Sequence, residues 1–175
     1  KIVKDVHTAP SWINDSTIIY TKRSKPNKWG SKFFDLYIYT FNDEEEERVT
    51  HDSRLISPTY NPTSKQMAAI TTYDGTSNIM LATALDLEKV EVEFQNLTRL
   101  DNGMHMFSLA FIEDTLYVDA VYHHGRQIYR VEMETGDLFP VTTSRWDNRD
   151  QEEIPEGMIY AKDQSGIFNL VLQKD

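Results

Sequence analysis

The 175-residue chain contains no cysteine. That excludes disulfide frameworks and thiolate metal sites, and it leaves the compartment open. No apolar run approaches the ~18 residues of a membrane-spanning helix, and no stretch reads as a signal peptide. Positive charge is also short. Eighteen lysines and arginines face 28 aspartates and glutamates, a formal net charge of −10. A nucleic-acid partner needs a basic face and is not expected; an anionic membrane surface is disfavoured for the same reason. The common catalytic signatures are missing too. There is no Gly-x-Ser-x-Gly elbow, no His-Glu-x-x-His and no glycine loop of the phosphate-cradling kind, so the sequence asks for no cofactor, no metal and no catalytic residue. It begins at Lys1 rather than at a methionine, which reads as a processed or excised piece.

What is present is a repeat. Met67-Ala68-Ala69-Ile70 is followed by Thr71-Thr72-Tyr73-Asp74-Gly75 and then Ile79-Met80-Leu81. Thr17-Ile18-Ile19-Tyr20 with Leu36-Tyr37-Ile38-Tyr39, Thr115-Leu116-Tyr117-Val118 with Gln127-Ile128-Tyr129, and Gly157-Met158-Ile159-Tyr160 with Ile167-Phe168-Asn169-Leu170 have the same form. Three units close on an aliphatic residue followed by threonine: Val49-Thr50, Leu97-Thr98 and Val141-Thr142. Short strands recurring every 40 to 50 residues or so point to propeller blades. Each such sheet is apolar on both faces and must stack on its neighbours to escape water. A β-sandwich with coincidental spacing is the alternative.

The fold expected is therefore an all-β propeller with about four blades in view. The units run over 6–50, 51–98, 99–142 and 143–175, and residues 1–5 supply an outer strand. A piece of a larger, six- to eight-bladed ring is favoured over a four-bladed ring closed by Lys1–Asp5. Trp12 should anchor the first blade's core, as Tyr60 and Phe111 do theirs. Leu85–Phe94 alternates like an outer strand. Asp43–Glu47, five acids in a row, reads as a charged hairpin turn. The segment 143–156 shows no inner-strand pattern and reads as an abbreviated unit or a place where residues are missing.

Ser57-Pro58-Thr59-Tyr60-Asn61-Pro62-Thr63-Ser64-Lys65, continuing to Asp74-Gly75-Thr76-Ser77-Asn78-Ile79, resembles the TolB-like propeller repeat, and Ser165-Gly166-Ile167-Phe168-Asn169-Leu170 fits its turn into a strand. The resemblance covers nearly the whole chain. It implies a non-enzymatic scaffold of the periplasm, cell envelope or secreted space that grips a protein or peptide. The alternative it implies is the substrate-filtering propeller of a larger serine peptidase of the prolyl-oligopeptidase kind. A carbohydrate-binding or lyase propeller is a weaker third reading.

Binding is expected where the connections between second and third strands gather, since loops on a rigid scaffold commonly carry it. Those connections carry Trp29, Tyr73, Asp74, His123, His124, Arg126 and Asp163. The loop from Thr21 to Phe34 adds five lysines and arginines, a basic lip on an acidic chain. His123-His124 precedes Gly125 and is read as a loop pair rather than as metal ligands.

Overall fold

A computed structural model describes residues 2–72, 75–83, 85–86, 91–123, 125–164 and 166–174 of the chain. Their regular structure is all β. The first sheet joins β1 (Ser11–Asn14), β2 (Thr17–Arg23), β3 (Phe34–Thr40) and β4 (Glu45–Arg48) in that order. The second runs β5 (Leu55–Asn61), β6 (Gln66–Thr71) and β7 (Asn78–Ala82). A two-stranded ribbon of β8 (Leu85–Asp86) and β9 (Glu91–Val92) follows, and β10 (Gln95–Asn96) then returns as that sheet's outer strand. The third holds β11 (His105–Ile112), β12 (Thr115–Val121), β13 (Arg126–Val131) and β14 (Leu138–Pro140). The fourth holds β15 (Asn148–Ile154), β16 (Gly157–Gln164) and β17 (Ile167–Gln173). Every strand pair is antiparallel.

The sheets stand as propeller blades. The inner strands β1, β5, β11 and β15 lie against one another in succession, and apolar side chains fill each seam between neighbouring sheets. Ile13, Ile19, Leu36 and Ile38 meet Leu55, Met67 and Ala69 across the first seam. Ile70 and Ile79 meet Met106, Leu116 and Val118 across the second. Ala110 and Ile128 meet Met158 and Tyr160 across the third. Alternation in a strand supplies both faces at once, and each fully buried aliphatic side chain contributes about 1.5–3 kcal/mol.

The aliphatic–Thr steps have one geometry in three sheets. Leu36 N–H donates to Thr50 Oγ1 (2.9 Å), while Leu36 C=O accepts from Val49 N–H (2.8 Å). Ile79 makes the same pair with Thr98 Oγ1 (2.8 Å) and Leu97 N–H (2.9 Å). Ile128 makes it with Thr142 Oγ1 (2.9 Å) and Val141 N–H (2.8 Å). The outer strand thus ends in a side-chain hydroxyl that replaces a backbone carbonyl, leaving the chain free to turn toward the next inner strand. The residue before each locked position steers that turn. Asp35 Oδ1 accepts from Ser53 N–H (3.0 Å), Asn78 Oδ1 from Leu100 N–H (2.6 Å) and Gln127 Oε1 from Ser144 N–H (3.2 Å).

Four expectations need correction. Residues 143–156 are not an abbreviated unit: Asn148–Ile154 forms the inner strand β15. Its sequence hid it, because β15 is held by polar groups. Asn148 Nδ2 bonds Gln127 Oε1 (3.1 Å) and Ser144 Oγ (2.9 Å), and Asn148 and Gln151 are both buried. Trp12 is not the core anchor. It is 59% exposed and stacks on Phe41, while Ile13 takes the seam. A register irregularity between Trp12 and Asn14 sets which of the two points inward. Leu85–Phe94 is not the outer strand of its sheet; that place belongs to β10, while Val92 and Phe94 cover the first seam. Residues 2–5 form no strand on the last sheet. Val3 packs instead with Ile18, Tyr20 and Tyr39 of the first. The acidic run also divides: Asp43 and Glu44 turn, and Glu45–Glu47 belong to β4.

Candidate functional site: the loop end and the inner-strand groove

The four connections from second to third strand, 24–33, 72–77, 122–125 and 165–166, leave from the same end of their sheets as the links between sheets. Hydrogen bonds join the two sets. Asn27 Nδ2 donates to Asp52 Oδ2 (3.1 Å), Ser77 N–H to Met104 C=O (3.2 Å) and Arg126 N–H to Asp147 Oδ1 (2.8 Å).

Trp29 is the most prominent group here, at 79% exposed. Its loop is nonetheless fixed. Asn27 Oδ1 accepts from Trp29 N–H (2.9 Å) and Ser31 N–H (3.1 Å), Asn27 C=O accepts from Gly30 N–H (2.9 Å), and Gly30 turns with φ +78°. Lys28 Nζ lies over the indole at 5.1 Å. Arg54 over Phe33 (4.6 Å) and Arg145 over Trp146 (4.4 Å) repeat the cation–ring pairing at this end. The turns leaving the other ends of the strands have the opposite character. They carry Asp15, Asp43-Glu44, Glu113-Asp114, Glu132 to Asp137 and Glu156, with Lys65 as their positive charge.

The other expected site residues divide. Tyr73, Asp74 and His124 lie outside the described residues. His123 is exposed, with its ring against Tyr122 (3.9 Å). Arg126 is bound into the framework: its Nη2 donates to Asp119 Oδ2 (2.6 Å) and to Asp150 Oδ1 (3.3 Å), and its guanidinium lies over Phe107 (4.3 Å). Asp163 N–H donates to Asp147 C=O (2.8 Å), so Arg126 and Asp163 meet on Asp147. Trp29 stands apart from them in the first sheet.

Sequence reasoning missed the partner that fixes Arg126. Asp119 is fully buried, and its carboxylate also accepts from Ser108 N–H (2.9 Å), Ser108 Oγ (2.9 Å) and Asp150 N–H (2.8 Å). The clue was an aspartate inside Thr115–Val121, an otherwise apolar strand. A buried acid requires a cation and donors.

The inner strands line a groove of about 480 Å³ along the ring axis. Ser11, Tyr60, Ser108 and Glu152 face it, one from each sheet. Burial, and then the charge of Asp150, push the Glu152 carboxyl above its ordinary value. Among the described residues, no group of three or more His, Asp or Glu side chains has the arrangement of a metal site, and no helix is long and apolar enough to cross a membrane.

No protein-family model and no curated protein sequence matches the chain. Solved structures do. TolB from Acinetobacter baumannii aligns with a TM-score of 0.66 at 18% identity, over 95% of this chain and 40% of its own. The β-propeller domain of the Trilobed protease from Pyrococcus furiosus aligns at 0.57 and 14%, over 98% of this chain and 58% of its own. Pyrococcus horikoshii acylaminoacyl peptidase aligns at 0.55 and 11%, over 97% of this chain and 32% of its own. The chain therefore has the β-propeller fold of TolB and of peptidase propeller domains, and it spans less than two thirds of each of these proteins.

Proposed function

We propose that this propeller is a non-enzymatic binding scaffold and that a protein or peptide engages its loop end. The observation that carries the reading is Trp29, a large apolar ring held out in water on a loop that Asn27 fixes at both sides. Exposing such a ring is unfavourable unless something covers it, and rigid aromatic anchors of this kind dominate binding energetics. Lys25, Lys28 and Lys32 surround it on a chain of net charge −10, which suits a partner bearing carboxylates. The fold likeness to TolB supports a periplasmic or envelope setting. The likeness to peptidase propellers supports a second reading, in which the groove admits extended substrates to a hydrolase domain.

A photo-crosslinking residue at position 29 tests the first reading against one at Lys65, in a turn at the other strand ends. Scaffold function predicts a discrete adduct from 29 and none from 65, and loss of that adduct at high salt. Equal labelling from both positions would defeat it.

A further inference from the structure

Leu36, Ile79, Ile128 and Leu170 occupy one repeat position. The first three are 0% exposed; Leu170 is 75% exposed. The strand pairing aligns them. Leu36 lies opposite Thr21 and Ile128 opposite Asp119, and the Asp35-Leu36, Asn78-Ile79 and Gln127-Ile128 pairs recur as Asn169-Leu170. In the first three sheets an outer strand covers this position, always with an aliphatic–Thr step in the same register. Among the described residues the last sheet has three strands, and β17 is its bare edge.

We propose that the free edge of β17 is a docking site for an extended segment carrying an aliphatic residue followed by threonine. The segment adds as the sheet's fourth antiparallel strand. The aliphatic residue sits opposite Leu170 and donates its N–H to the Leu170 carbonyl. The threonine hydroxyl oxygen accepts from Leu170 N–H, and the Asn169 side-chain amide, like that of Asn78, holds the backbone that follows. Strand addition gains main-chain hydrogen bonds along the edge, and the side-chain pattern sets the register.

The other occupants fit less well. Residues 2–5 lie on the first sheet, where Val3 is packed. A second copy of the chain has its own aliphatic–Thr pairs, Val49-Thr50, Leu97-Thr98 and Val141-Thr142, already bonded. Its first sheet also presents no bare apolar face to receive β17, since Tyr20, Tyr39 and the Lys22–Glu46 pair close it.

The probe is the chain's own outer strand offered in trans: a peptide of residues 137–145, reading DLFPVTTSR. It is added to the whole chain at about 1 mM, the effective concentration of a short tether. The proposal predicts that amide exchange at Leu170 and Leu172 slows at least tenfold. A peptide with valine in place of Thr142, or the Asn169→Ala chain, should lose most of that protection with Tm unchanged. A second arm tethers the same nine residues after Asp175 through a glycine–serine linker. Tm should rise with the threonine and not with the valine. Protection that ignores the threonine, or none in either arm, overturns the proposal. So does self-association that buries β17 and resists the peptide, because the occupant would then be a second copy.

Discussion

The outward faces of the first and last sheets, one at each end of the stack, meet water in different ways. The first carries Ile18, Tyr20, Tyr37 and Tyr39, and the chain itself closes that face. Tyr20 is fully buried with its hydroxyl on Glu46, Lys22 pairs with Glu46 (2.6 Å) and lies over Tyr37 (4.8 Å), and Val3 covers the remainder. The last carries Ile159, Ala161, Phe168, Leu170 and Leu172 opposite the side that packs on the third sheet, and Arg149 over Phe168 is its main polar cover. Tyrosine rings with polar tips can form a boundary with water. Leucines on a bare edge cannot, so one face finishes the stack and the other invites addition.

The largest expected effect comes from detaching the last sheet. Asp119 ties Arg126 to Asp150 and bridges the third sheet to the fourth. Arg126→Ala leaves a fully buried carboxylate without its cation and should cost about 3–5 kcal/mol in urea unfolding. A cost near zero would mean that the bridge does not hold the last sheet.

Next comes the repeat position. Leu36→Ala, Ile79→Ala and Ile128→Ala should each lose about 2–5 kcal/mol, whereas Leu170→Ala should stay within about 0.5 kcal/mol. Comparable losses at all four would show that Leu170 is already covered.

These two predictions draw on features of unequal legibility in the sequence. The repeat was readable because burial imposes it: aliphatic residues recur at Leu36, Ile79 and Ile128, and Thr50, Thr98 and Thr142 mark where outer strands stop. The Asp119 bridge and strand β15 were not. Both depend on side-chain hydrogen bonds between residues far apart in the chain, and such bonds leave no periodicity. Trp12 misled for a related reason, since a local irregularity in pairing decides which of two neighbours faces the seam. Of the site, the placement of Trp29 was legible, but the structural commitment of Arg126 was not.

A smaller effect is expected at the steps themselves. Thr98→Val and Thr142→Val keep shape but leave Ile79 N–H and Ile128 N–H without an acceptor, which should cost about 1–3 kcal/mol each. The smallest contrast is in pH. Burial raises the Glu46 carboxyl, but hydrogen bonds from Lys22 and Tyr20 outweigh it and hold the group below the ordinary 4.5. Its contribution is present above 4.5 and fades as pH falls through the lowered value. Glu152 is raised, by burial and then by Asp150, so its contribution is full below 4.5 and fades as pH rises through the raised value. Glu46→Gln should therefore lower Tm at neutral pH, and Glu152→Gln should raise it. The two differences should shrink in acid.

Residue-resolved hydrogen exchange, at a concentration where the chain is monomeric, compares the four equivalent amides directly. Leu36, Ile79 and Ile128 should exchange only through the opening that frees their threonine hydroxyls, while Leu170 exchanges orders of magnitude faster. A Leu170 amide as protected as the other three would contradict the account, and so would three fast amides at the locked positions.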